Sequence, residues 1–234
     1  MKTHKILFTR SLPEDLVQYG KEKNLQVIHK EFIRIQHNEL TRDIINLMQD
    51  ENYPNWIFTS QNAVKIIVPW LQQQTTPPLR NCFAVGEKTA QRVAEMGYIS
   101  LFPEQQDANH LVKLLIEEKP NGGFLYFCGN LKRNVLQYYF QKSNIPYKEV
   151  EVYRTSLVQP QINPEDYDAI CFCSPSAVES FYRANKPDAN MPCFAIGETT
   201  ACSLIEHTDR VIISEITSLS GLIDTCHDYL NTKL

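Results

Sequence analysis

The chain has no uninterrupted apolar run near the roughly 18 residues of a membrane-crossing helix, so no membrane anchor is expected. Its start, Met1-Lys2-Thr3-His4-Lys5, leads into Ile6-Leu7-Phe8. That stretch is too short for a secretory signal, and no small-residue cleavage site follows it. A cytoplasmic location is expected. The seven cysteines form no C-x-x-C pair and the six histidines show no ligand spacing. Cys82, Cys128, Cys171, Cys173 and Cys193 sit inside apolar runs, as free thiols packed in a reducing compartment would. Cys171 and Cys173 would share one strand face, which could be a metal edge; core packing is the preferred reading, and no metal is expected. A basic block is also missing. With a net charge of −4 and both signs interspersed, nucleic acid and anionic membranes are poor partners. The G-x-G-x-x-G fingerprint is absent. Gly86-Glu87-Lys88-Thr89 ends like a phosphate-binding loop but lacks its upstream glycine, which disfavours ATP, GTP and dinucleotides.

What is present is an internal duplication. Ile6 to Arg34 aligns without a gap on Tyr126 to Arg154, pairing Leu7 with Phe127, Leu16 with Leu136, Tyr19 with Tyr139, Leu25 with Ile145 and Arg34 with Arg154. A second unit holds Ile57-Phe58-Thr59-Ser60-Gln61-Asn62-Ala63-Val64 and Cys82-Phe83-Ala84-Val85-Gly86-Glu87-Lys88-Thr89-Ala90. Its partner holds Cys171-Phe172-Cys173-Ser174-Pro175-Ser176-Ala177-Val178 and Cys193-Phe194-Ala195-Ile196-Gly197-Glu198-Thr199-Thr200-Ala201. At 234 residues and 43% apolar composition, one large domain or two small ones can be filled.

Each unit reads strand, sharp turn, helix. The runs Ile6–Phe8, Trp56–Phe58, Cys82–Val85, Phe124–Phe127, Ala169–Phe172 and Cys193–Ile196 are short and rich in β-formers, as strands buried on both faces of a parallel sheet are. Helical spacing follows, as in Leu131, Val135, Leu136 and Tyr139. The fold class expected is α/β, with doubly wound sheets covered on both faces. The stretches near Phe32–Asn38 and Val152–Gln161 look like crossings between two lobes. Which unit pairs with which is left open by the repeat.

Ligands of open parallel sheets bind at the carboxyl ends of the strands. Ser60 and Ser174 stand there as caps of the following helices, with Pro175 suited to a first helical turn. Free amides at such helix starts attract carboxylate or phosphate, although each serine alone could be only a cap. Gly86 and Gly197 follow the next strand in each copy and would allow a close ligand approach or simply a tight turn. In Cys128-Gly129-Asn130-Leu131-Lys132-Arg133, Asn130 could cap a helix whose first turn holds two cations. Such a turn would draw an acidic ligand if it faces a cleft, and is a solvated surface otherwise. Tyr153, at the presumed crossing, could pack plainly or donate a proton to a departing group; Arg34 is its neighbour in the repeat register.

Six segments together resemble the uroporphyrinogen-III synthase family over nearly the whole chain. They are Phe58–Val64, Ala84–Ala90, Cys128–Arg133, Val152–Thr155, Phe172–Val178 and Ala195–Ala201, with Cys173 standing where the family often has Thr. The resemblance implies two flavodoxin-like lobes joined by two antiparallel connections, residues 1–35 with 156–234 and residues 38–150, crossing at 35–38 and 151–158, with substrate taken between them. It implies cyclisation of hydroxymethylbilane, a linear tetrapyrrole, to uroporphyrinogen III, with loss of water and inversion of the terminal ring. No metal or organic cofactor is implied, and the main task is control of geometry. Tyr153 would assist loss of the hydroxyl. Ser60, Asn62, Gly86, Thr89, Ser174, Ser176, Gly197 and Thr200 would hold carboxylates, with charge from Lys132 and Arg133. A monomer in transient contact with the upstream bilane-forming synthase is expected. Two rivals are a non-catalytic two-lobed sensor of a small anion, which would be expected to carry an effector segment, and an enzyme of phosphorylated metabolites, which would be expected to carry a nucleotide fingerprint.

Overall fold

The structure, a computed structural model, describes residues 3–231. Two compact units are found, one from the described residues up to 34 and from 156 onward, the other from residues 35–155.

In the first unit β1 (His4–Phe8), β2 (Leu25–His29), β9 (Ala169–Phe172), β10 (Cys193–Ala195) and β11 (Val211–Ile213) form a parallel sheet in the order β11-β10-β9-β1-β2. Read from β2, this is the 2-1-3-4-5 order of flavodoxin-like sheets. The strand residues alternate between two cores. Leu7, Ile170, Phe172 and Cys193 pack with helices α7 (Pro175–Ala184) and α8 (Glu198–Ile205). Ile6, Phe8, Cys171 and Phe194 pack with α1 (Glu14–Glu22) and α9 (Leu219–Asn231). Burial on both faces is why these strands read as continuous apolar runs.

The second unit uses β4 (Asn55–Phe58), β5 (Asn81–Ala84), β6 (Ser100–Leu101), β7 (Phe124–Gly129) and β8 (Tyr147–Leu157), with β3 (Ile33–His37) at the edge: β3-β8-β7-β4-β5-β6. The pairings of β8, β7, β4, β5 and β6 are parallel. Counted from β7 as the first strand, these five repeat the 2-1-3-4-5 order, so the second sheet is a circular permutation of the first. One face (Trp56, Phe58, Leu125, Phe127, Val150, Val152) packs mainly on α3 (Gln61–Gln72), with α4 (Glu87–Ala94) contributing Val93 and α2 (Arg42–Gln49) contributing Met48. The other (Ile57, Phe83, Phe124, Tyr126, Cys128) packs on α5 (Ala108–Glu118) and α6 (Val135–Lys142). β3 and β8 both pass through the boundary of the units, so the chain crosses twice.

Two expectations change. The helix after β7 begins at Val135, not at Leu131, and Leu131 is exposed. Asn130 does not cap it: the Asn130 side chain instead binds both backbone groups of Thr155, at 2.7 and 3.1 Å. Lys132 and Arg133 thus lie in the turn before the helix. The amide prefers the strand because it satisfies two backbone groups there at once. Among the described residues no helix is long and apolar enough to cross a membrane.

Candidate functional site

In a 2-1-3-4-5 sheet the ligand crevice lies at the carboxyl ends of strands 1 and 3, where the connections change direction. In the second unit these are the ends of β7 and β4, and three residues singled out above converge there. Ser60 caps α3, its Oγ accepting the Asn62 N–H at 3.1 Å. The Asn62 backbone is thereby engaged. Tyr153 lies opposite Gly129 across a register shift between β7 and β8. Its half-buried ring packs on the aromatic core of Trp56, Phe58 and Phe127. Burial raises the Tyr153 hydroxyl above the ordinary phenol value, and a hydrogen bond with Ser60 pulls against that rise. The hydroxyl is therefore protonated at neutral pH and already faces a partner that favours its phenolate. Next to them Thr59 Oγ1 and the buried Tyr126 hydroxyl pair at 3.1 Å, and burial raises Tyr126 as well.

Gly86 begins α4, but its surroundings are not open. Gln106 reaches in so that its Oε1 accepts the Glu87 N–H at 3.2 Å, and a Cβ on residue 86 would lie 2.4 Å from that oxygen. Thr89, in the first turn, is only 6% exposed, so its backbone rather than its hydroxyl shapes the turn. Lys132 pairs with Glu149 at 3.1 Å, and this bond raises its pKa; the charge is locally balanced. Arg133 is exposed.

The first unit carries a parallel arrangement at the ends of β1 and β9. Ser174 caps α7 by accepting the Ala177 N–H at 3.2 Å and pairs with Ser176 Oγ at the same separation. Cys173 precedes them; burial pushes its thiol up to about 12, against a counter-pull from Arg10. A thiol held so high is a packing group at neutral pH. Gly197 starts α8 with Thr217 at van der Waals distance, and Thr200 is 3% exposed. Cys171 and Cys173 do share a core face, yet among the described residues no group of three or more His, Cys, Asp or Glu could hold a metal.

Several residues of these edges escaped the sequence reading. Arg10 stands after β1 where Asn130 stands after β7, and the gapless repeat register would have found it. Ser218 and Ser220 repeat the Ser174 pattern at α9: hydroxyls 3.2 Å apart, with the Gly221 N–H bound to Ser218 at 2.9 Å. Ser-x-Ser before an apolar run was their signal. Gln106 has no local signature, since its contact lies on another loop.

No curated protein sequence matches the chain. Solved structures do. A mutant uroporphyrinogen III synthase of the extremely thermophilic bacterium Thermus thermophilus superposes with a TM-score of 0.73 at 15% identity, covering 98% of this chain and 99% of that one. The uroporphyrinogen-III synthetase of Helicobacter pylori gives 0.66 at 16% identity, over 98% and 100%. At such identities the likeness establishes the two-lobed α/β fold. The family model described as uroporphyrinogen-III synthase HemD matches residues 14–224, which takes in both units. The chain belongs to the uroporphyrinogen-III synthase family, the cyclising lyases of tetrapyrrole biosynthesis.

Proposed function

We propose that the chain closes hydroxymethylbilane to uroporphyrinogen III with Tyr153 as the acid that helps the terminal hydroxyl depart. The observation that carries this reading is the half-buried, protonated phenol of Tyr153 at the switch point of the second sheet, beside Ser60 and the start of α3. A proton from the Tyr153 hydroxyl goes to the leaving oxygen, the carbon–oxygen bond breaks and water leaves. The pyrrole nitrogen supplies the electron pair, giving an azafulvenium cation opposite the Tyr153 phenolate, neutral once its N–H proton is lost. The substituted carbon of the terminal ring attacks it to form a spiro intermediate, and fragmentation and recombination leave that ring inverted. The phenolate formed in the first step is met by the Ser60 hydroxyl. Acid assistance of this kind is worth about 10²–10⁴-fold, and a leaving group this willing uses the low end.

The remaining task is geometric, since the chain must be held for spiro attack. In this reading the helix starts at Ser60–Asn62, Gly86–Thr89, Ser174–Ser176 and Gly197–Thr200 receive acetate and propionate groups through the backbone N–H groups not bonded within their turns and the Ser60, Ser174 and Ser176 hydroxyls, with Gln106 giving way at Glu87. Lys132 and Arg133 add positive charge, Arg133 the more freely because Lys132 shares its charge with Glu149. The two units act as the two lobes of the enzyme, with residues 35–38 and 151–158 as their connections. The reading uses no metal or organic cofactor. It places the protein in the cytoplasm as a monomer that takes its unstable substrate by transient contact with the upstream bilane-forming synthase. Tyr153→Phe tests the acid: turnover should fall at least about tenfold with KM little changed. Full turnover in a folded Tyr153→Phe protein would make Tyr153 a packing residue.

A further inference from the structure

The two copies of the fold differ where Tyr153 sits. Gly129 ends β7, and its counterpart in the repeat register is Thr9, after β1. Thr9 is fully buried with its Oγ1 bound to the Cys171 carbonyl, so this position in this fold accepts a side chain. Gly129 is also not among the glycines with positive φ, so its backbone conformation does not demand glycine. The demand comes from Tyr153. A Cβ at residue 129 would lie 2.3 Å from Tyr153 Cε2, 2.5 Å from Cζ and 2.9 Å from Cδ2. Those atoms belong to a rigid ring that packs on the core, and Cζ carries the hydroxyl itself.

The strand geometry supports the same seat. Cys128 pairs with Glu151, but Gly129 pairs with Tyr153, so β8 carries one extra residue at Val152. Such a bulge re-aims the side chain that follows it. Two residues beyond Tyr153, the N–H and the carbonyl of Thr155 are both held by the single amide of Asn130. The β7–β8 ladder fixes the strand before Tyr153, and Asn130 fixes it after.

We propose that Gly129 and Asn130 are positioning residues for the reacting phenol: the missing side chain admits the ring, and the amide clamp holds the strand that carries it. This rests on the reading of Tyr153 as the acid. The test is a double-mutant cycle of Gly129→Ala with Tyr153→Phe in the whole protein, read by kcat, KM and melting temperature. Gly129→Ala should fold, as Thr9 implies. It should lower kcat within about threefold of the loss in Tyr153→Phe, leave KM within about twofold, and cost nothing further in the double variant. Normal turnover in Gly129→Ala, beside a Tyr153→Phe protein that has lost it, overturns the seat while sparing the acid. Losses that multiply in the double variant also overturn it, because Gly129 would then act independently. Full turnover in Tyr153→Phe sinks the acid and the seat together. Should Gly129→Ala not fold, Asn130→Ala in the same cycle decides: a several-fold loss of kcat that vanishes in the Tyr153→Phe background supports the clamp, and unchanged kcat refutes it.

Discussion

Ser60→Ala has an internal control built in by the duplication. Ser60 and Ser174 cap matching helices with hydrogen bonds of 3.1 and 3.2 Å. Removing either hydroxyl should cost about 1 kcal/mol of stability, the usual worth of an N-cap. For a protein of this size that lowers the melting temperature by about 2–4 °C. The two variants should differ in chemistry. Ser60 also meets the Tyr153 hydroxyl, and a hydrogen bond to a charged group is worth about 1.5–3 kcal/mol. If most of it is realised as the phenolate forms, Ser60→Ala loses about tenfold or more in kcat. Its alkaline limb should move to higher pH, because the bond holds the phenol pKa down against burial and the nearby Cys128. Ser174→Ala should instead raise KM. Melting curves and steady-state turnover of hydroxymethylbilane across pH would decide. Equal losses of stability with no difference in kcat would refute the link from Ser60 to Tyr153.

Gly86→Ala should melt lower by a few degrees, because the new Cβ drives Gln106 off the Glu87 amide, a bond worth about 1 kcal/mol. Adding Gln106→Gly, which also removes the Gln106 Cβ lying 2.8 Å from the new methyl, should remove the difference between Gly and Ala at residue 86, and differential scanning fluorimetry of the four proteins checks this. In the first unit Asp224 accepts from Lys23 and Tyr19, each at 2.7 Å. Burial raises its pKa, but these partners outweigh it and the net shift is downward. A depressed carboxylate stabilises the fold above its unfolded value of about 3.9, and that contribution is lost as pH falls through the folded value. Asp224→Asn should therefore melt below the wild type at neutral pH, with the gap closing in acid; a gap that persists at about pH 2 contradicts the assignment.

Much of this was legible in the residues because both sheets are buried on two faces. The strands that the sequence marks, from Ile6–Phe8 to Cys193–Ile196, are the central ones, whose apolar runs need no partner to be recognised. The strands it does not mark, such as β6 and β11, are short and partly exposed, so no period picks them out. The caps Ser60 and Ser174 are local chemistry and could be read. The role of Asn130 is not local: Asn before a cationic turn looks like a cap, and only the β7–β8 ladder brings Thr155 within its reach. Gly129 fails for the same reason, since the ring it admits lies far along the chain.

The most direct test supplies hydroxymethylbilane to the purified protein, oxidises the product and separates the porphyrin isomers. The type III isomer is expected, formed faster than the spontaneous closure. Only the uninverted isomer, at the rate seen without protein, would contradict it.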